Sequence, residues 1–151
     1  MPASAAARLK GFHGFEDSVR WRVTPRGIAV EGKGVERTPG DPVTVTHVWS
    51  LYHDQINAAA TRFNVPAQLI VATICTESSG RADAIRLEPR FVSDAATPNQ
   101  VSPGLMQTLI STARSAMKNP NIDRKWLFVP GNSIMAGTAY IASQAGSTSL
   151  D

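Results

Sequence analysis

The stretch that organises the chain is Thr73-Ile74-Cys75-Thr76-Glu77-Ser78-Ser79-Gly80, in which a single carboxylate ends an apolar segment. The segment Pro66–Cys75 is apolar around almost its whole circumference, which predicts a buried helix that begins at the proline. Gly80 predicts the end of that helix near Glu77. Burial and the carbonyl dipoles of a helix C-terminus would both favour the neutral carboxyl group, as a general acid requires. A solvated glutamate at a helix end explains this stretch alone equally well.

The composition indicates one globular domain, because 151 residues with 42% hydrophobic and 18% charged side chains can bury a sizeable core. The single cysteine, Cys75, excludes an internal disulfide and a thiolate metal cage. The three histidines share no ligand spacing with it, so we expect no metal site and no cofactor. A formal net charge of +3 favours an acidic polymer as partner, but the basic residues are scattered, which argues against nucleic acid.

The N-terminal part of the chain divides into an arm and a β-rich segment. Residues 1–18 show no period and predict an irregular arm without the apolar core of a secretory signal. Residues 19–46 alternate apolar and polar side chains between turn residues, which predicts a small β-hairpin or meander packed on a helical body. This segment is interpreted either as a covering flap or as a docking surface for another protein. Its proposed strands are Val19-Arg20-Trp21-Arg22-Val23, Ile28-Ala29-Val30-Glu31 and Val43-Thr44-Val45-Thr46.

Residues 47–151 carry helical periodicity, so the predicted fold class is α+β, mainly α. A first helix is predicted after Thr46 as N-cap, and the second is the helix before Gly80. Residues 81–103 form a long connection, of a length that is usually functional or mobile. Further helices are predicted from Gly104 to Met117 and from about Pro130 to Gln144. No stretch of 18 apolar residues occurs, so no membrane span is predicted.

Three short elements follow one another in this region and carry a family resemblance. They are Glu77-Ser78-Ser79-Gly80, Ser102-Pro103-Gly104-Leu105-Met106-Gln107 and Asn132-Ser133-Ile134-Met135-Ala136-Gly137-Thr138-Ala139-Tyr140. Each is weak alone, but in this order the chain resembles the soluble lytic transglycosylases from about residue 47 to the end. The run Arg86-Leu87-Glu88-Pro89-Arg90-Phe91 resembles a loop of a subset that includes phage-associated members. The resemblance implies a goose-type, lysozyme-like helical domain over residues 47–151.

The resemblance also implies roles for individual residues. Glu77 corresponds to the single catalytic acid/base, and Glu88 is a candidate supporting residue near it. Gln107 corresponds to a glutamine that lines the sugar groove, although it could be an exposed helix residue. Tyr140 corresponds to a tyrosine whose hydroxyl lies near the glutamate, although it could be a core aromatic with a solvated hydroxyl. The full set of implied substrate-binding residues is Ser78, Ser102, Gln107 and Tyr140.

The chain departs from the family pattern at three places. Ile110 stands where a proline is usual, within a run that is predicted to continue as a helix. Ser133 replaces the asparagine that precedes Ile134. The sequence ends at Leu150-Asp151, where the family continues into a further helix, so we expect the C-terminal part of the family domain to be absent. A fragment, completion by another polypeptide and a repurposed module remain open alternatives.

The implied activity is cleavage of the β-1,4 bond between N-acetylmuramic acid and N-acetylglucosamine in peptidoglycan strands, with formation of 1,6-anhydro-N-acetylmuramic acid. One carboxyl group, Glu77, would act as acid and then as base, which departs from the usual glycosidase pair. A water held by Asp83, Glu88 or Asp94 would instead give hydrolysis, as in a muramidase. A non-catalytic peptidoglycan-binding or virion-assembly module is the other alternative.

The expected place of action is the bacterial cell wall. Without a signal peptide, the protein is expected to be virion-associated or released by lysis. A virion or cell-envelope protein is the partner that residues 19–46 would dock.

Overall fold

The computed structural model describes residues 11–12, 19–24, 26–36 and 43–145. Contacts divide the chain into two compact units, with the boundary between Asp41 and Pro42. Nearly all of the arm predicted for residues 1–18 lies outside the described residues. The packing of the β-rich segment on the helical body stays a prediction.

The N-terminal unit contains a three-stranded antiparallel meander of β1 (Trp21–Thr24), β2 (Gly27–Val30) and β3 (Gly34–Glu36). β1 and β2 are antiparallel neighbours, with Trp21 opposite Val30. The return from β2 to β3 uses the positive φ angles of Gly32 (79°) and Gly34 (86°), which cost a glycine little. The first two predicted strands are present with slightly shifted bounds, but the third strand is Gly34–Glu36, which was not predicted.

The prediction that Val43-Thr44-Val45-Thr46 forms a strand with Thr46 as N-cap is wrong. These residues form the first turn of α1 (Val43–Phe63). Their alternation predicts one buried side, but the side chains of Val43 and Val45 are 71% and 45% exposed. Four residues are too few to separate a strand from a helical turn, and a proline just before Val43 is compatible with a helix start.

Helix α2 spans Ala67–Ser78 with Pro66 as its N-cap, which confirms the predicted helix and its C-terminal glutamate. The expectation that this helix is buried on all sides is wrong. Its buried side chains form one stripe of Ile70, Val71, Ile74 and Ser78, while Leu69 is 46% exposed. The reason is that α2 packs chiefly against one neighbour, α1, so its other faces meet solvent.

The long connection after α2 contains a β-hairpin, and it leads into a turn rather than a helix. Strands β4 (Ile85–Leu87) and β5 (Val101–Pro103) are antiparallel. The helix that was predicted from Gly104 begins only at Ile110, so the prediction is wrong for residues 104–109. The last three helices are α3 (Ile110–Met117), α4 (Arg124–Leu127) and α5 (Pro130–Ala145). Helix α5 matches its prediction.

The turn Gly104–Gln107 has a backbone that a helix cannot accommodate. Gly104 has φ 87° and Gln107 has φ 46°. A Cβ at Gly104 would overlap with the carbonyl oxygen of Leu127 and lie 2.8 Å from Ser133 Oγ. The Met106 N–H donates to the same Ser133 Oγ at 3.1 Å. Ser133, the departure from the family's asparagine, therefore holds this turn against α5.

Two hydrophobic clusters form the core of the helical unit, and α5 contributes to both. The first joins α1, α2, the Gly104–Gln107 turn and Ile134 of α5, and the second joins β5, α3, α4 and Ala136 of α5. Ile110, in place of the family's proline, is the fully buried first residue of α3 and fills the second cluster. Of the helices that the structure describes, none has the length and apolarity needed to cross a bilayer.

We expect Gly104→Ala to lower the free energy of unfolding by about 3 kcal/mol, because a Cβ combines positive-φ strain with overlap against α4 and α5. Gly131→Ala is the matched control, since a Cβ there would meet Gln55 Cγ at an ordinary 3.5 Å. The control should leave stability unchanged or raise it. Urea denaturation followed by circular dichroism measures both, and equal stability of the two variants would contradict the account.

Candidate active site

A cleft of about 470 Å³ opens between the end of α2, the β4–β5 hairpin and the turn Gly104–Gln107. Its lining is mostly polar, with carboxylate, guanidinium, amide and hydroxyl groups. Such a surface suits a ligand with many hydroxyl and amide groups better than an apolar one. The lining residues are Glu77, Arg86, Glu88, Asn99, Gln100, Ser102, Gln107 and Leu109.

The position of Glu77 is fixed by the way α2 ends. Ser79 takes a left-handed conformation (φ 54°), and its N–H donates to Cys75 O at 3.2 Å. Gly80 follows with φ 82° in a space where a Cβ would lie 2.9 Å from Val48 Cγ2. The hydroxyl of Tyr52 donates to Gly80 O at 3.3 Å, which ties this end of α2 to α1. The last turn of the helix therefore carries the carboxylate to the cleft from a rigid support.

Glu77 is exposed, so the expectation that it lies buried among apolar neighbours is wrong. Ile70 and Ile74 are fully buried in the first cluster, but Glu77 lies at the edge of their stripe. The last turn of α2 lies beyond that packing, and the cleft admits solvent to the carboxylate. The helix C-terminus remains as predicted, since α2 ends at Ser78.

The pleat of the β4–β5 hairpin places four polar side chains on one face. Arg86 lies opposite Ser102 in the strand register. The Glu88 N–H donates to Gln100 O at 2.8 Å and continues the pairing by two residues. Because side chains two residues apart point to the same side of a strand, these four share a face. All four line the cleft, while Val101, which faces the other way, is buried in the second core cluster.

Arg86 and Glu88 form an ion pair at the wall of the cleft. Arg86 Nη2 lies 2.9 Å from Glu88 Oε1, and the two side chains are 69% and 30% exposed. An ion pair with this exposure contributes little to stability. It does hold both charged groups in the cleft that contains Glu77.

The loop that joins the two strands is held from outside the cleft. Asp94 accepts a bidentate pair of hydrogen bonds from the guanidinium of Arg124 on α4, which lies 5.7 Å from the ring of Phe91. Pro98 O accepts from the N–H of Ser111 at 3.0 Å. Asp94 therefore supports the loop, whereas the cleft receives Asn99 and Gln100.

The hydrogen bonds of the Gln107 side chain determine which of its two amide atoms remains available to a ligand. Its Nε2 donates to Ala84 O at 3.0 Å and to Gly104 O at 2.8 Å. Carbonyl oxygens only accept hydrogen bonds, so the side-chain atom that contacts both of them must be the amide nitrogen. The two bonds use both hydrogens of that nitrogen. The remaining polar atom, Oε1, can only accept. Gln107 is thus a turn residue that offers an acceptor, not an exposed helix residue.

The structure brings together four of the six predicted site residues: Glu77, Glu88, Ser102 and Gln107 line one cleft. Ser78 is buried and its hydroxyl donates to Ile74 O at 3.2 Å. Tyr140 is 42% exposed on α5. Neither Ser78 nor Tyr140 is among the described residues that line the cleft, and their roles in substrate binding stay predictions.

Four lining residues had no assigned role in the sequence: Arg86, Asn99, Gln100 and Leu109. The sequence did contain a signal for Arg86, because it lies two residues before Glu88 in the Arg-Leu-Glu-Pro run. If that run is a strand, both side chains lie on the same face. Asn99 and Gln100 carried no signal apart from their place in a long connection. Among the described residues, no group of three or more His, Cys, Asp or Glu side chains could hold a metal ion.

A scan of protein-family models matches residues 54–149 to the transglycosylase SLT domain. The matched range covers nearly two thirds of the chain and includes every residue that lines the cleft. A search of curated proteins finds no match.

We expect Gln107→Glu to lower the free energy of unfolding by about 2 kcal/mol, because it sets a carboxylate oxygen against two carbonyl oxygens. Gln100→Glu makes the same chemical change at a second cleft glutamine, for which the described part of the chain shows no side-chain hydrogen bond. The control should unfold close to wild type in urea. Equal losses in both variants would show that Nε2 of Gln107 does not hold the turn.

Proposed function

Since the chain belongs to the transglycosylase SLT domain family, we propose that it is a peptidoglycan lytic transglycosylase in which Glu77 is the catalytic acid/base. The substrate bond is the β-1,4 link between N-acetylmuramic acid and N-acetylglucosamine. The product is a strand that ends in 1,6-anhydro-N-acetylmuramic acid. The proposed place of action is the bacterial cell wall.

The observation that carries this proposal is the position of Glu77 on the wall of a polar cleft at a rigid helix end. The cleft offers hydroxyl and amide groups from Ser102, Asn99 and Gln100, which suit the hydroxyl and acetamido groups of a glycan. The acceptor oxygen of Gln107 suits a sugar hydroxyl or an amide N–H. A cleft with these groups can orient a strand beside one carboxyl group.

In the proposed mechanism, the protonated carboxyl of Glu77 donates its proton to the glycosidic oxygen as the bond to the anomeric carbon breaks. The acetamido group of the muramyl residue stabilises the positive anomeric carbon. Glu77, now a carboxylate, accepts the proton of the muramyl 6-hydroxyl. At the same time the oxygen of that hydroxyl bonds to the anomeric carbon and closes the 1,6-anhydro ring. Glu77 regains its proton, so the cycle closes without water or a cofactor.

The exposure of Glu77 suits this double role. An exposed carboxyl group exchanges protons with solvent between turnovers, and substrate in the cleft would then shield it from water. Transglycosylation does not require a second carboxylate on the opposite face of the sugar, in contrast to an inverting hydrolase.

We expect Glu77→Gln to lower the rate of release of anhydromuropeptides by about 100-fold or more, because it removes the transferable proton while keeping the shape of the side chain. Mass analysis of digested peptidoglycan measures the product. Asp83→Asn is the matched control, since Asp83 is an exposed acid outside the cleft lining among the described residues. Equal release by wild type and Glu77→Gln would contradict the proposal, and retention on cell wall without release would favour a binding module.

Hydrolysis is the second candidate function, and Glu88 is the observation that favours it. Of Asp83, Glu88 and Asp94, the acids that could hold a water, Glu88 alone lines the cleft. We nevertheless expect Glu88→Gln to release products that end in the anhydro ring, as wild type does. If wild type forms reducing ends and Glu88→Gln loses them, Glu88 is the base for water and the protein is a muramidase. The same mass analysis distinguishes the two products.

A further inference from the structure

We propose that Arg86 binds a carboxylate carried by the muramyl residues of the glycan, and so selects peptidoglycan over uncharged glycans with the same backbone. This inference rests on the proposed function and names a group of the substrate that the catalytic mechanism does not use. No part of the acid/base chemistry of Glu77 depends on it.

The first argument is the charge of the cleft. Among the described residues that line it, Arg86 is the sole cation, beside the carboxylates of Glu77 and Glu88. Without Arg86, the cleft would repel a substrate that carries carboxylates. With Arg86, it holds one guanidinium that can pair with an anion from the strand.

The second argument is the state of the Arg86–Glu88 pair. The Arg86 side chain remains 69% exposed in this pair, so a ligand in the cleft can reach the guanidinium. Arg86 Nη2 lies 2.9 Å from Glu88 Oε1, which leaves other N–H groups of the guanidinium for a second acceptor. Glu88 therefore orients the guanidinium over the cleft without using all of its donors.

The third argument is the rigidity of the support. Arg86 lies on β4 opposite Ser102, and the loop beyond Glu88 is held by the bond between Asp94 and Arg124. The backbone of a paired β-strand is rigid, so it holds the guanidinium at one place in the cleft. The guanidinium can therefore discriminate between substituents at one position along the glycan.

Chemistry identifies the ligand. In peptidoglycan, every second sugar carries a lactyl ether, which ends either in a free carboxylate or in a stem peptide with carboxylates of its own. N-acetylglucosamine has no acidic group. The shared feature of both sources is a carboxylate that is linked to a muramyl residue, and this is the group that Arg86 can distinguish from a hydroxyl.

The test measures binding of soluble glycan strands to Glu77→Gln, in which cleavage is blocked. Three strands of equal length are compared: one with stem peptides, one stripped by an amidase to free lactyl carboxylates, and one stripped and then converted to neutral methylamides. We expect at least one carboxylate form to bind about tenfold more tightly than the neutral strand, and Glu77→Gln/Arg86→Gln to lose that preference.

The control is Glu77→Gln/Arg90→Gln, which removes the same charge from an exposed arginine outside the cleft lining of the described residues. It should keep the preference. Tighter binding of the peptide-bearing strand alone identifies the stem peptide as the ligand, and tighter binding of the stripped strand alone identifies the lactyl group. Equal binding of all three strands, or a preference that survives loss of Arg86, overturns this inference. Absence of cleavage by the wild type instead overturns the proposed function.

Discussion

The contact between the turn Gly104–Gln107 and helix α5 is the constraint on which the rest of the helical unit depends. Gly104 approaches Leu127 and Ser133 too closely for a side chain, and a Cβ at Gly137 would lie 2.7 Å from Met106 Cβ. Both clusters of the core include α5; the first also includes Met106 of the turn, and the second includes Val101 of β5, the strand that leads into the turn. Small residues on both sides allow this approach, and the hydrogen bond from Met106 N–H to Ser133 keeps it.

The same turn also supports the cleft, which Gln107 lines. Ala84 O accepts from Gly104 N–H at 2.8 Å and from the Gln107 amide, so the turn also fixes the start of the β4–β5 hairpin. The hairpin then directs Arg86 and Glu88 to one face by its pleat. Glu77 reaches the cleft independently, from a helix end that Tyr52 ties to α1. Glu77 and the Arg86–Glu88 pair therefore rest on separate supports.

The sequence predicted the parts that depend on local patterns. Pro66 and the apolar run marked α2, and helical periodicity marked α5 from about Pro130 to Gln144. The sequence could not show that Gly104 marks a turn, because Gly-Leu-Met-Gln followed by a helical pattern reads as one helix until the close contact with Leu127 is known. It also could not show that Glu77 is exposed, since the circumference of α2 is apolar whether or not a neighbour covers it.

The two glutamates of the cleft differ in what surrounds them, and that difference argues for distinct roles. Arg86 Nη2 lies 2.9 Å from Glu88 Oε1, so the Glu88 carboxylate already has a cation as its partner. Glu77 is exposed in the last turn of α2, and among the described residues it forms no ion pair. A carboxyl group that donates a proton and then accepts one must adopt both its protonated form and its ionised form during the reaction. A carboxyl group without a cationic partner suits the proton transfer that we propose for Glu77, whereas the Glu88 carboxylate suits the proposed task of holding the Arg86 guanidinium at the cleft.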